Sequence, residues 1–172
     1  MRAGDGTVHV NYYGSGSMTI ALADGTPLTL AQKTAYPFAE DVCLTVSPAQ
    51  SRRIALALRI PVWSRQTAIC INGELVKDVR PGTYCRIDRT WNPGDTVTIR
   101  FDFSLHGWRG HWECDGKISV YRGPILLAYD RRYNAMDPDA IPPLNPAAIS
   151  LQPKHWTRWM APAMLSGIAA ES

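Results

Sequence analysis

Large apolar residues occupy every second position in several stretches of the chain. Val42, Leu44 and Val46 alternate with smaller or polar residues, and the same period recurs over 54–60 and 97–103. This alternation places the apolar side chains on one face of a β-strand and the remaining side chains on the other. The pattern predicts strands near residues 6–13, 17–23, 26–33, 41–47, 53–60, 67–72, 74–79, 83–88, 95–103, 117–122 and 124–129.

Turn-forming residues separate these stretches. Asp24-Gly25 and Asn72-Gly73 supply the positive φ angles that tight hairpin turns require. In Asn92-Pro93-Gly94-Asp95 we expect the Asp95 carboxylate to accept hydrogen bonds from turn amides. Because no amphipathic helical pattern precedes residue 130, we predict an all-β fold. Residues 1–130 are expected to form an antiparallel two-sheet β-sandwich, jelly-roll-like.

The last segment, residues 131–172, has a different character. It contains six prolines, which forbid a long helix or a central strand. We therefore predict a Pro-rich extended tail that is packed on the sandwich or partly disordered, with Trp156 and Trp159 as candidate anchors.

Composition and charge exclude several classes of protein. The 172 residues are 45% hydrophobic and 19% charged, which is typical of a folded globular domain. The net charge of +3 is small and scattered, so we predict no nucleic-acid partner. The chain has no apolar run of membrane-spanning length and no signal peptide at its start. We predict no membrane partner, and a cytoplasmic location if the chain is a complete protein.

The four cysteines give no metal-binding pattern. Cys43, Cys70, Cys85 and Cys114 are separated by 27, 15 and 29 residues, whereas structural zinc sites usually contain a Cys-x2-4-Cys pair. Three disulfide pairings stay open, but reduced thiols are favoured because no secretion signal is present. The sequence predicts no cofactor and no metal.

Several short strings in the chain occur in the order found in a known domain. Together they resemble the C-terminal β-sandwich of β-L-arabinofuranosidase-like glycoside hydrolases, family 127 and relatives, over about residues 8 to 130. The strings are Val10–Tyr13, Gln32–Pro37, Leu58–Trp63, Ile71–Gly73, Arg89–Asp95 and Val120–Leu126.

The resemblance implies a partner domain rather than a catalytic site. In that family an (α/α)6 helical barrel performs the hydrolysis, with a cysteine nucleophile near a zinc ion held by Cys and Glu. The family's adjacent cysteine pair lies in the barrel, upstream of the sandwich. This chain has no cysteine before Cys43 and no Cys-Cys pair, so no catalytic residue can be transferred to it. The resemblance therefore implies a non-catalytic accessory domain that supports a helical-barrel catalytic domain absent from this chain.

One segment, Leu105–Asp115, departs from the family pattern and carries most of the candidate chemistry. Indole rings stack against the C–H faces of sugars, and nearby polar groups bond to the hydroxyls. The segment is thus a candidate carbohydrate-binding platform of a stand-alone binding module. Packing against another domain or a second copy, as in a homodimer, and a plain ordered loop are the alternatives. The candidate residues are His106, Trp108, Arg109, His111, Trp112 and Glu113.

The same segment raises two further alternatives. Its His, Cys and carboxylate side chains are suited to a transition metal, but their spacing matches no metal motif. An independent small glycosidase would need two carboxylates across a cleft. Glu113 with Asp95 or Asp115 is the pairing to test, although nothing in the spacing selects it.

Overall fold

The computed structural model describes residues 6–132, 135–137, 140 and 145. The chain divides into two compact units, Met1–Phe103 and Ser104–Ser172. The division falls before the sequence-based domain boundary at residue 130, which stays a prediction. Most of the Pro-rich tail, including Trp156 and Trp159, lies outside the described residues. No helix within the described part is long and apolar enough to cross a membrane.

Within the described residues, the first unit contains nine strands and the second contains three. In the first unit they are β1 Thr7–Val10, β2 Gly16–Ala21, β3 Pro27–Thr34, β4 Asp41–Pro48, β5 Arg52–Arg59, β6 Ala68–Ile71, β7 Glu74–Leu75, β8 Tyr84–Trp91 and β9 Asp95–Arg100. In the second they are β10 Leu105–Arg109, β11 Ile118–Arg122 and β12 Ile125–Leu127, with a 3-10 turn over Trp112–Cys114.

The strands of the first unit form two sheets. A six-stranded sheet has the order β2-β3-β4-β9-β6-β7, and a three-stranded sheet has the order β1-β5-β8. The predicted all-β fold with antiparallel sheets is confirmed, with one exception. Strands β1 and β5 pair in parallel. The three strands between them in the sequence provide the long crossover that a parallel pair needs.

A single apolar core lies between these two sheets. Alternate residues of β4 oppose alternate residues of β9, so that Leu44 faces Val97 across the strand pair, and both are fully buried. The three-stranded sheet contributes Leu56 and Leu58 in the same alternating manner. Burial of these aliphatic side chains stabilises the packing of the two sheets, at roughly 1.5–3 kcal/mol for each one fully buried.

Trp91 joins the core to the backbone of the three-stranded sheet. Its ring is fully buried, and its Nε1–H donates a hydrogen bond of 3.0 Å to the carbonyl oxygen of Ile54. The Arg89 guanidinium lies 5.2 Å from the ring centroid. The buried indole therefore has its single polar group satisfied, as a large aromatic residue in a core requires.

Side chains hold together the β6–β7 turn of the six-stranded sheet and the turn that connects β8 of the three-stranded sheet to β9. Asp95 accepts hydrogen bonds from the Asn92 amide at 2.9 Å and from the Asn72 side chain at 3.0 Å. Asn72, in the left-handed region at φ 50°, also accepts a bond from the Thr96 amide at 2.8 Å. The predicted role of Asp95 at turn amides is thus confirmed. The hydrogen bonds that Asp95 accepts lower its pKa, and the bond from the Asn92 amide has the largest effect.

The second unit contains a small antiparallel sheet of order β10-β11-β12. Strands β11 and β12 were predicted, but β10 was not. Leu105 is the single aliphatic residue of β10, and the strand contains Gly107, so the apolar alternation that identifies strands is missing there.

Substitution of Trp91 by Ala should destabilise the protein by about 3–5 kcal/mol, because it leaves a large cavity and an unpaired carbonyl. The measurement is urea unfolding followed by far-UV circular dichroism. The matched control is Trp112→Ala, since Trp112 is 92% exposed and should change stability by less than about 0.5 kcal/mol. Equal losses in the two variants would contradict this account of the core.

Asp95 should cause the stability of the fold to decrease at acid pH. A carboxyl with a lowered pKa stabilises the fold above its unfolded pKa of about 3.9, and that contribution is lost as the pH falls through the folded value. Asp95→Asn should therefore lower the melting temperature at pH 7 and flatten its decline below about pH 4. The check is a series of melting curves from pH 7 to pH 2.5; parallel curves for the two proteins would refute the role of Asp95.

Candidate functional site

The register of the small sheet places several candidate residues on one face. Residues directly opposite each other on paired strands point to the same face, as do residues two apart on one strand. His106 is opposite Tyr121, which is opposite Leu126, and Trp108 is opposite Ser119. We call these five residues, His106, Trp108, Ser119, Tyr121 and Leu126, the aromatic face.

A ring stack organises the centre of the aromatic face. The His106 and Tyr121 rings are parallel to within 13°, with their centroids 5.4 Å apart. This contact restricts the orientation of the Tyr121 ring. The stack therefore supplies a fixed aromatic surface two residues along β10 from Trp108.

Two large apolar side chains of the aromatic face are exposed to solvent. Trp108 is 68% exposed and Leu126 is 52% exposed. By contrast, Val120 and Leu127, on the opposite face, are buried. Exposed tryptophan beside other rings and a hydroxyl is typical of surfaces that bind sugars or other proteins.

The loop that connects β10 to β11 depends on a glycine. The Gly110 amide donates to the Lys117 carbonyl at 2.9 Å, which closes the hairpin. A Cβ atom at Gly110 would lie 2.0 Å from the Cys114 carbonyl oxygen, so no other residue fits there without a shift of the backbone. The loop carries the 3-10 turn that contains Trp112, whose φ of 56° is in the left-handed region.

The structure divides the six predicted site residues among three places. His106 and Trp108 lie on the aromatic face, whereas Arg109 follows Trp108 and belongs to the opposite face. His111, Trp112 and Glu113 lie exposed in the loop. No ring contact joins Trp108 to Trp112 within the described residues, whereas the strand register places Trp108 on the same face as the His106–Tyr121 stack.

Sequence reasoning named Trp108 and His106 but missed Ser119 and Leu126. Their placement depends on pairing across two hairpins, which no local pattern specifies. The Asp115-Gly116 turn between Leu105–Arg109 and Ile118–Arg122 is the one signal that could have indicated the first hairpin.

The alternative chemistries find less support in the geometry. Asp95 belongs to the turns of the first unit and bonds there to Asn92 and Asn72. Glu113 and Asp115 are exposed loop residues. Among the described residues, no group of three or more His, Cys, Asp or Glu side chains is arranged to hold a metal ion.

All four cysteines are free thiols in the structure. Cys43, Cys70 and Cys85 are half-buried, and Cys114 is exposed in the β10–β11 loop. Burial raises the pKa of the Cys85 thiol, which keeps it protonated and unreactive at neutral pH.

Comparison with known proteins identifies the first unit. The family model described as "Beta-L-arabinofuranosidase, GH127 middle domain" matches residues 7–103, more than half of the chain. No sequence among the curated proteins matches the chain.

Several solved structures are similar to this chain, and three of them show the extent of the similarity. A glycoside hydrolase is 31% identical over 69% of the chain, with a TM-score of 0.64. A GH127 β-L-arabinofuranosidase from Geobacillus stearothermophilus T6 is 32% identical over 72%, with a TM-score of 0.65. Another GH127 β-arabinofuranosidase is 27% identical over 70%, with a TM-score of 0.63.

The alignments cover 20%, 20% and 22% of those three proteins, so the chain spans about a fifth of their length. The resemblance carried by the short sequence strings is confirmed, and the matching model is that of the middle domain. The chain belongs to the GH127 β-L-arabinofuranosidase family.

Proposed function

We propose that this chain is the non-catalytic accessory part of a GH127-type glycoside hydrolase and that it supports a helical-barrel catalytic domain. The observation that carries this proposal is the middle-domain match over residues 7–103, which coincides with the β-sandwich unit. The chain also spans only about a fifth of the solved relatives. A domain of this kind works by packing against the catalytic domain and stabilising it.

One end of the sandwich has the surface such packing requires. The loops after β1, between β3 and β4, and between β5 and β6 lie at the same end, because the paired strands run antiparallel and β1 runs parallel to β5. Each loop presents an exposed apolar residue. Tyr12 is 82% exposed, Phe38 is 66% exposed and Val62 is 76% exposed. Apolar groups grouped at one exposed end are typical of a protein interface.

A rigid aromatic cluster supports these three loops. Tyr13 follows Tyr12, and its ring packs on Phe101 at 5.1 Å, while its hydroxyl donates to the Arg59 carbonyl at 2.9 Å. Trp63 follows Val62, and its ring packs on the same Phe101 at 5.8 Å. Burial raises the pKa of Tyr13 further above its ordinary value, so its hydroxyl is a donor throughout the neutral and mildly alkaline range. The backbone beside Tyr12 and Val62 is thus anchored before a partner binds, which lowers the entropic cost of docking.

A domain exchange tests the accessory role. In the β-L-arabinofuranosidase from Geobacillus stearothermophilus T6, the region that corresponds to residues 7–103 is replaced by this sequence. We expect a soluble chimera that hydrolyses β-L-arabinofuranosides within about tenfold of the parent rate, because the sandwich supplies packing and not chemistry. A folded chimera with no activity, or activity in the isolated 172-residue chain, would overturn the proposal.

Two substitutions in the chimera test the docking surface. Phe38→Ser with Val62→Ser should lower the melting temperature of the chimera by several degrees and leave that of the isolated chain unchanged, because these side chains are exposed in the chain. Leu75→Ser is the control, since Leu75 is 67% exposed but lies on β7, outside the three loops. An equal effect of the control would show that this end of the sandwich is not the contact.

Carbohydrate binding by the aromatic face is the second candidate function. Its support is the exposed Trp108 ring beside the His106–Tyr121 stack, with the Ser119 hydroxyl directly opposite Trp108. A sugar ring laid on such a surface would contact the indole through its C–H face and bond to the hydroxyl. The other predicted site residues are close to this surface in the sequence but are not part of it. They are Arg109, His111, Trp112 and Glu113.

Binding to a panel of soluble polysaccharides, measured by affinity electrophoresis, tests this second function. Trp108→Ala and Tyr121→Ala should each weaken binding at least tenfold, because each removes a stacking ring. Trp112→Ala should bind as the unmodified chain does, since Trp112 lies in the loop. Binding lost with Trp112 and kept without Trp108 would instead support the loop as the platform.

A further inference from the structure

The turn between β6 and β7 contains a chemically labile pair of residues. Asn72-Gly73 is the single Asn-Gly sequence in the chain, and both residues are exposed. The main-chain nitrogen that follows an asparagine can attack the side-chain amide carbon, and a glycine leaves this nitrogen open to approach because it has no side chain. Asparagine is for this reason one of the thermolabile residues of proteins. A Cβ atom at Gly73 would meet no atom within 4 Å, so the turn is open to solvent on that side.

Hydrogen bonds to β9 hold both ends of the Asn72 side-chain amide. Its Nδ2 donates to Asp95 Oδ1 at 3.0 Å, and its Oδ1 accepts a bond from the Thr96 amide at 2.8 Å and another from the Thr96 hydroxyl at 3.4 Å. The main-chain amide of Asn72 also donates to the Thr96 carbonyl at 2.9 Å. The side chain therefore cannot turn toward Gly73 while these bonds to the neighbouring strand persist.

The backbone of Asn72 gives the pair a second protection. Its φ of 50° lies in the left-handed region, where ψ is about +47°. This ψ places the Gly73 nitrogen on the side of the Cα–C bond opposite Cβ, whereas attack on Cγ requires the nitrogen and Cβ to lie on the same side. Both the left-handed backbone and the side-chain bonds must therefore be lost before the two atoms can meet.

The β6–β7 hairpin lies at an edge of the six-stranded sheet, where local opening is easiest. Strand β7 consists of Glu74 and Leu75 alone, is the last strand in the sheet order, and has both side chains exposed. Segments with few buried apolar contacts open at a much lower free energy than the core of the same protein. The hairpin can consequently open while the two sheets stay packed together.

We propose that Asn72 is a site of spontaneous deamidation, and that its hydrogen bonds to Asp95 and Thr96 prevent the reaction until the β6–β7 hairpin opens. The Gly73 nitrogen gives its proton to a base in the solvent and forms a bond to Asn72 Cγ. The Cγ–Nδ2 bond breaks, and Nδ2 takes up protons from water and leaves as ammonia. Water then opens the resulting succinimide ring at either carbonyl, which gives aspartate or isoaspartate. The proposal is independent of the accessory function and of the aromatic face.

Either product prevents the turn from closing as before. In aspartate an oxygen replaces Nδ2, so a second carboxylate would lie where a donor stood 3.0 Å from Asp95 Oδ1, and the two charges would repel each other. Asp95 is held in place, because its Oδ2 accepts a bond from the Asn92 amide at 2.9 Å. Isoaspartate lengthens the main chain by one carbon, which the two-residue connection between Ile71 and Glu74 does not accommodate. Deamidation is thus an irreversible record that the hairpin has opened.

Peptide mass spectrometry of the full chain during incubation at neutral pH tests the proposal. We expect Asn72 to be converted to aspartate and isoaspartate, at least about tenfold faster in concentrated guanidinium chloride than in buffer, because the denaturant removes the bonds to β9. Asn11 is the internal control, since Tyr12 follows it and hinders attack, and it should react more slowly than Asn72 in the denaturant. Absence of conversion at Asn72 in the denaturant, or equal rates in the two solutions, overturns the proposal.

Matched variants separate opening of the hairpin from unfolding of the whole unit. Asp95→Ala removes the acceptor of the Asn72 side chain and should speed conversion in buffer at least about fivefold, with no effect in the denaturant. Asp88→Ala removes a carboxylate that bonds to Arg53 instead, and should leave the rate unchanged. Ile87→Val destabilises the core without touching the turn, and should also leave the rate unchanged.

Two results with these variants would overturn the proposal. An unchanged rate in Asp95→Ala would show that the bond to Asp95 does not protect Asn72. An equal acceleration in Ile87→Val would show that the reaction proceeds through global unfolding and that the hairpin does not control it. Circular dichroism of each variant before incubation establishes that it is folded.

Discussion

The alternation of buried and exposed side chains along paired strands is the constraint on which the first unit depends. Leu44 and Val97 meet in the core only because β4 and β9 are paired in one register, and a shift by one residue would turn the apolar residues of a strand to solvent. Trp91 adds a second restriction. Its Nε1–H can reach the Ile54 carbonyl only when β5 and β8 are correctly aligned. Burial and hydrogen bonding thus specify the same arrangement of strands.

This constraint determines which side chains are buried within the strands, but it does not determine the side chains of the loops that connect them. The loops at one end carry Phe38 and Val62, which contribute nothing to the core. In the second unit the same alternation buries Val120 and turns Trp108 outward. Each candidate surface therefore consists of side chains that are placed by the pairing of the strands but do not contribute to the core.

The sequence predicted most of the fold because most strands carry the apolar alternation themselves. Strand β4 was predicted at 41–47 and is Asp41–Pro48, and β5 was predicted at 53–60 and is Arg52–Arg59. Features that depend on pairing between segments far apart in the sequence could not be predicted. The parallel pairing of β1 with β5 and the existence of β10 both rest on partners that lie far away in sequence or carry no apolar pattern. The same limit applies to the sites. Trp108 stood out by its residue type, whereas its neighbours Ser119 and Leu126 follow from register alone.

The aromatic face would select its ligands by stacking. Stacking against Trp108 depends on the apolar face of a sugar and little on the positions of its hydroxyls, so an open surface of this kind would accept several glycans. Such a face would consequently respond to the length of a polysaccharide more than to the identity of a single exposed sugar residue.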